Sequence, residues 1–174
     1  MTADARIERV ITGVIAQAVR DARATRVTIV GESADAALLR VWCARALGAA
    51  AVGNDGLLLH PANKTALLLG DAPAADMLPF GDLYYTQVVG LAGSATTTAA
   101  LETIAAACGG FAALDRALQQ FFDERIAWER ATAHVAPDVR DQLRAALEAA
   151  RFRRARLALV PKLGARTLGI DLYA

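Results

Sequence analysis

Arg26-Val27-Thr28-Ile29-Val30-Gly31, continued by Glu32-Ser33 and then by Ala34 through Leu47, is the stretch on which the fold turns. A short β-branched run closed by glycine has the pattern of a buried strand. Ala34–Leu47 is rich in Ala, Leu and Arg and stops at Gly48, which predicts a helix with a glycine cap. A strand that enters a helix through a tight Gly-Glu-Ser turn is the opening unit of an α/β domain of the nucleotide-binding kind.

Working outward, residues 3–22 place Ile7, Val10, Ile11, Val14, Ile15 and Ala18 at helical spacing and predict an amphipathic helix before the strand. After it, Ala49 to Gly53 and Leu57 to His60 are short apolar runs around Asn54-Asp55-Gly56, a strong turn signal for which a hairpin is one reading. Two parallel strands cannot be joined so tightly, so these runs are either antiparallel or not both strands. Thr65 to Gly70 is too short and too uniformly apolar for periodicity to decide between helix and strand. Asp71 to Gly81 carries Pro73 and Pro79 and reads largely as loop. Helices are expected over 82–92, 95–108, 111–130 and 137–155, with breaks at Gly93-Ser94, Gly109-Gly110 and Pro137. The expected organisation is one domain: an α/β part over 1–92, a helical part over 93–155 and an extended tail over 156–174.

Composition bounds the function. The 174 residues are 55% hydrophobic and 21% charged, with a net charge of +1, which excludes disorder as the dominant state. A neutral balance is not that of a general nucleic-acid binder. No apolar run reaches the roughly 18–20 residues that span a bilayer, and the charged amino terminus lacks a signal core, so a cytoplasmic protein is expected. Cys43 and Cys108 fall inside apolar helical patterns and read as small buried hydrophobes. His60 and His134 share no ligand spacing with them, so no zinc site is expected. Between Arg140 and Arg166 eight basic residues face only Asp141 and Glu148, a net charge of about +6 that reads as a solvated face or a contact for an anion.

Three segments carry a resemblance. The longest is Asn63-Lys64-Thr65 with Leu67-Leu68-Leu69-Gly70, followed by Ala75-Asp76-Met77-Leu78-Pro79-Phe80-Gly81-Asp82-Leu83-Tyr84-Tyr85-Thr86-Gln87-Val88. The second is Arg151-Phe152-Arg153-Arg154, then Val160-Pro161-Lys162-Leu163, then Arg166-Thr167-Leu168-Gly169-Ile170-Asp171. The third is the strand-turn-helix at 27–48. In this order they resemble the NAD synthase family, ATP-dependent amide-forming enzymes of the adenine nucleotide α-hydrolase-like type. That resemblance implies a reduced Rossmann-like α/β domain, with a small, mainly parallel sheet of three or four strands and a helical carboxyl-terminal half. It implies a homodimer, or a pairing with a related subunit. It implies ligand contacts at Gly31, Ser33, Asp35, Asn63, Lys64, Asp76, Arg153, Arg154 and Lys162, with ATP and magnesium as cofactors only if the family's activity survives.

The departures point away from catalysis. Where the family has Ser-Gly-Gly-x-Asp-Ser, this chain has Gly31-Glu32-Ser33-Ala34-Asp35-Ala36, and Glu32 sets a carboxylate where phosphate oxygens would sit. The acidic magnesium ligand after Asn-Lys is Ala66, which offers no oxygen ligand. His60-Pro61 replaces the Gly-Thr before Asn63, Asp71–Ala74 shortens a lysine-bearing loop, and Tyr85 replaces a lysine. The expectation is a degenerate NAD synthase-like protein without catalytic residues, a dimeric binding or assembly module for an anionic or nucleotide ligand. The other class left open is an amide-forming ligase whose site is atypical or completed by a partner. For single residues the plain structural roles are Asp35 as a first-turn helix acid, Lys64 as a surface lysine and Asp82 as a helix cap. Phe111, Leu114, Leu118, Phe121, Phe122, Ile126 and Trp128 read as core, or as a subunit interface.

Overall fold

Val27–Ile29 forms β1 and Leu57–Leu59 forms β2, paired in parallel with Val27 opposite Leu57, Thr28 opposite Leu58 and Ile29 opposite Leu59. The computed structural model describes residues 2–71, 73–154 and 159–163. Before β1 runs helix α1 (Ala3–Asp21), and the crossover between the strands is α2 (Ala34–Leu47), which ends at Gly48 as its cap pattern requires. After β2 come α3 (Lys64–Leu68), α4 (Tyr85–Ala92), α5 (Ala99–Ala107), α6 (Phe111–Phe122), α7 (Trp128–Ala131) and α8 (Pro137–Arg154). The chain is thus a mixed α/β protein with a small parallel sheet.

Among the described residues that sheet has two strands, fewer than the three or four expected. Its neighbours are single-residue parallel bridges: Val52 with Val27 on one side, Met77 with Leu59 and Leu159 with Met77 on the other. The prolines at 73 and 79 leave only a few residues around Met77 for pairing, so the edge never lengthens into a strand. The hairpin reading of 49–60 is also corrected. Ala49–Ala51 is one turn of 3-10 helix, and only the second run is a strand, parallel to β1. Gly56 fixes that route, because a Cβ there would lie 2.1 Å from the Arg26 carbonyl oxygen.

The single helix expected over 111–130 is two. The last turn of α6 closes on Asp123, Arg125 takes φ +56°, and the Ile126 N–H returns to the Gln120 carbonyl at 2.9 Å before α7 begins. Thr65 to Gly70, undecided by pattern, is the short helix α3. The helix expected from residue 82 starts at Tyr85, and that expected from residue 95 starts at Ala99. Of the expected tail, residues 159–163 are described: Leu159 exchanges backbone hydrogen bonds with the Asp76–Leu78 segment, and Pro161 is buried. The remainder of the tail lies outside the described residues.

Two apolar cores flank the segment 77–84. Met77, Phe80 and Leu83 face one, with Ile11 and Ile15 of α1, Leu39 and Trp42 of α2, and the two strands. Leu78 and Tyr84 face the other, with α3, Leu114 and Leu118 of α6, Trp128 and the apolar face of α8. The core reading of the aromatic-rich helix therefore holds for Leu114, Leu118 and Trp128, with Phe111, Phe121 and Phe122 packed against them. Cys43 and Cys108 are buried free thiols, as expected, and burial raises the Cys43 thiol to about 11. No helix among the described residues is long and apolar enough to cross a membrane.

Candidate functional site

The carboxyl ends of the parallel segments lie at residues 30–33, 60–63, 78–84 and 160–163, the edge at which open α/β sheets bind ligands. Two polar clusters are built there. In the first, Asn63 caps α3 by accepting the Ala66 N–H at 3.1 Å, which fixes Lys64 and Thr65 at the start of the helix. Lys64 is 2% exposed and is not the surface lysine expected. Its Nζ lies 2.8 Å from Asp123 Oδ1 and 3.4 Å from Asp82 Oδ1, and 5.0 Å from the centroid of the Tyr84 ring. Tyr84 donates its hydroxyl to Asp123 Oδ2 at 3.0 Å, and the Leu163 N–H donates to Asp82 Oδ2 at 2.7 Å.

Asp82 is therefore no helix cap. Tyr84 takes that position, with its own N–H donated to Gln87 Oε1 at 2.8 Å. A buried ammonium persists only where carboxylates and hydrogen bonds offset its desolvation, and two carboxylates meet Lys64 here. Burial, reinforced by Asp123, pushes the Tyr84 phenol far above its ordinary range, so it stays a donor. Next to this cluster, Asp115 accepts the Thr65 hydroxyl at 2.6 Å, the Thr86 N–H at 2.8 Å and the Thr86 hydroxyl at 2.7 Å. Burial nevertheless raises the Asp115 carboxyl, against the lowering effect of those donors.

The second cluster closes on Thr96. Asp35 is fully buried, and accepts the Thr96 N–H at 2.6 Å, the Thr96 hydroxyl at 3.0 Å and the Ala36 N–H at 2.9 Å. Since the Thr96 hydroxyl donates to Asp35, the Ser33 hydroxyl donates to Thr96, at 2.9 Å. Asn63 Nδ2 reaches the Thr96 carbonyl at 3.2 Å. Asp35 does lie in the first turn of α2, but its main partner is sixty-one residues away rather than the helix end. Glu32 is exposed and pairs with Arg40 at 3.2 Å, and the same guanidinium holds the carbonyls of Ile29 and Gly31. The turn after β1 thus aims carbonyls at a cation, the reverse of amides cradling a phosphate.

The expected site residues separate accordingly. Ser33, Asp35 and Asn63 come together around Thr96, with Gly31 turned to Arg40. Lys64 belongs to the other cluster. Asp76 sits apart, its Oδ2 accepting the Leu58 N–H at 2.8 Å. Lys162 is exposed beside a cleft. The side chains of Arg153 and Arg154 lie outside the described residues. The residues expected around ATP and magnesium do not fit that role, because Asp35 is enclosed by its own donors and Ala66 has no side-chain oxygen. Among the described residues no group of three His, Cys, Asp or Glu side chains could hold a metal.

The cleft, about 760 Å³, opens between the amino end of α1 and the Asp82–Gln87 segment. It is lined by Arg6, Ile7 and Val10 of α1, by Asp82, Tyr84, Gln87, Gln119 and Asp123, and by Lys162 and Leu163. Sequence reading missed Asp115, Asp123, Thr96 and Arg6. Asp115 carried a signal: it falls on the buried stripe Phe111, Leu114, Asp115, Leu118, Phe122, where an acid needs partners. Thr96 and Arg6 carried none. Among known proteins, no family model and no curated sequence matches the chain.

Proposed function

We propose that this chain is a degenerate NAD synthase-like protein with a reduced Rossmann-like fold and no synthase activity. It acts as a dimeric binding or assembly module whose cleft at the sheet's carboxyl edge takes a small ligand with an anionic group. The observation that carries this reading is Asp35. It is the one residue of the pyrophosphate loop retained from the resemblance, and its carboxylate is spent on Thr96 and Ala36 in the interior. Lys64 supports it in the same way, since the Asn-Lys pair serves to cap α3 and to join α3, α4 and α6.

A ligase must hold the pyrophosphate of ATP with donors aimed at developing charge. The turn at 31–33 aims carbonyls at Arg40 and exposes Glu32 instead. The purified protein, given ATP, magnesium, ammonia and the nicotinate dinucleotide, is expected to release no pyrophosphate above a boiled control. Magnesium-dependent release would overturn the reading. Light scattering tests the dimer separately: twice the 18.3 kDa chain mass is expected, and a single-chain mass contradicts it.

A further inference from the structure

The cleft is lined by side chains of both charges, Arg6 and Lys162 with Asp82 and Asp123. Asp123 receives one donor on each oxygen, Lys64 on Oδ1 and Tyr84 on Oδ2. A carboxylate oxygen accepts about two donors, so each keeps capacity for another. The Asp123 side chain is 19% exposed, and it borders the cleft. Arg6, which lines the same cleft, is exposed and forms no ion pair among the described residues. Beside it is the start of α1, where Thr2 Oγ1 caps Ala5 and the Thr2 carbonyl takes the Arg6 N–H. The N–H groups of Ala3 and Asp4 precede those bonds and belong to the positive end of a nineteen-residue helix. Ile7, Val10, Leu83 and Leu163 supply apolar lining.

We propose that the cleft binds an aliphatic zwitterion, of the size range from a free amino acid to a dipeptide. Its ammonium is received by Asp123 and its carboxylate by Arg6 and the first N–H groups of α1. A simple amine lacks the carboxylate that Arg6 receives, and a simple acid lacks the ammonium that Asp123 receives, so each forgoes one of the two charged contacts. Gln87, whose Oε1 is committed to the Tyr84 N–H, keeps its amide NH2 as a further donor for the carboxylate or the peptide carbonyl. A volume of about 760 Å³ lies within the range of roughly 300–1,000 Å³ typical of small-molecule clefts.

The inference rests on the binding-module reading, and narrows its anionic ligand to one that also carries a cation. Calorimetric titration of the full chain with L-leucine, L-leucyl-L-leucine, leucinamide and N-acetyl-leucine tests it. Leucine or the dipeptide is expected to bind, with leucinamide and N-acetyl-leucine each weaker by about tenfold or more, the usual loss of one charged hydrogen-bond partner. Arg6→Ala, on the exposed side of α1, is expected to weaken binding by a similar factor of about ten while leaving the melting temperature unchanged. Asp123→Asn should weaken the two zwitterions but not N-acetyl-leucine, which lacks the ammonium. Absence of heat with every probe at about 10 mM overturns the proposal. So does N-acetyl-leucine binding as tightly as leucine, or Arg6→Ala binding as tightly as the parent. These outcomes leave the pyrophosphate test untouched, and pyrophosphate release leaves the Arg6 result untouched, so the two failures are distinguishable.

Discussion

Asp35 and Lys64 are both buried charges near the sheet's carboxyl edge, yet they are satisfied in opposite ways. Asp35 takes its donors from neutral groups, the Thr96 N–H and hydroxyl and the Ala36 N–H, and is enclosed on all sides. Lys64 is held by two carboxylates, both of which also border the cleft. The Asp35 cluster is a staple that ties α2 to the segment before α5. The Lys64 cluster ties α3, α4 and α6 together and gives the cleft its acidic side chains. A charge met by neutral donors can be replaced in part by an amide of the same shape, whose one oxygen keeps the bonds of one carboxylate oxygen. A charge met by opposite charges cannot, because its removal strands the partners.

Removal of Lys64 is the largest test of that contrast. Lys64→Met leaves the Asp82 and Asp123 carboxylates without their shared cation and is expected to cost about 3–5 kcal/mol in chemical denaturation, as for other broken buried pairs. Asp35→Ala is expected to cost about 2–3 kcal/mol, since it strands the Thr96 and Ala36 donors. Asp35→Asn should recover about half of that, roughly 1 kcal/mol, because an amide oxygen still accepts. Equal losses in Asp35→Asn and Asp35→Ala would show that the charge itself matters and would break the comparison.

Gly81 gives a smaller effect from packing alone. A Cβ there would lie 2.9 Å from Val160 Cγ2 and 3.1 Å from Leu67 Cδ1, so Gly81→Ala should cost about 1–2 kcal/mol through overpacking. The denaturant midpoint of that variant checks it.

His60 gives the smallest. It is partly buried, its Nδ1 accepts the Ala62 N–H at 3.1 Å, and burial lowers its pKa below 6.5 despite the opposing pull of Asp71 and Asp35. The folded state therefore favours neutral imidazole. Its contribution is fully present above about 6.5, the unfolded value, and is lost as pH falls through the folded value. The parent protein should lose this increment of stability on acidification, and His60→Gln should lose less over the same window.

Much of this arrangement was legible, and the parts that were not share a cause. The β1 turn and α2 could be read because β-branching, a glycine close and a glycine cap are local signals. The breaks at Gly93, Gly110 and Pro137 were readable for the same reason. α3 was not, because five residues hold too little periodicity, and its start is fixed by Asn63 and by the distant acids that receive Lys64. The break after Phe122 was hidden too, since Phe121, Phe122, Ile126 and Trp128 keep helical spacing through Arg125 while the backbone reverses. Of the expected site residues, Lys64 and Asp35 stood out through the resemblance, but their burial did not. Their partners Asp123 and Thr96 were invisible, being fifty-nine and sixty-one residues away.

The central proposal is that the residues resembling an ATP-dependent synthase serve structure in this chain. Calorimetric titration of the parent protein with magnesium-ATP tests it most directly. With Asp35 enclosed, Ala66 in place of an oxygen ligand and Glu32 at the turn, no saturable heat is expected up to about 1 mM nucleotide. Saturable binding in the micromolar range, abolished by removing magnesium, would contradict the account.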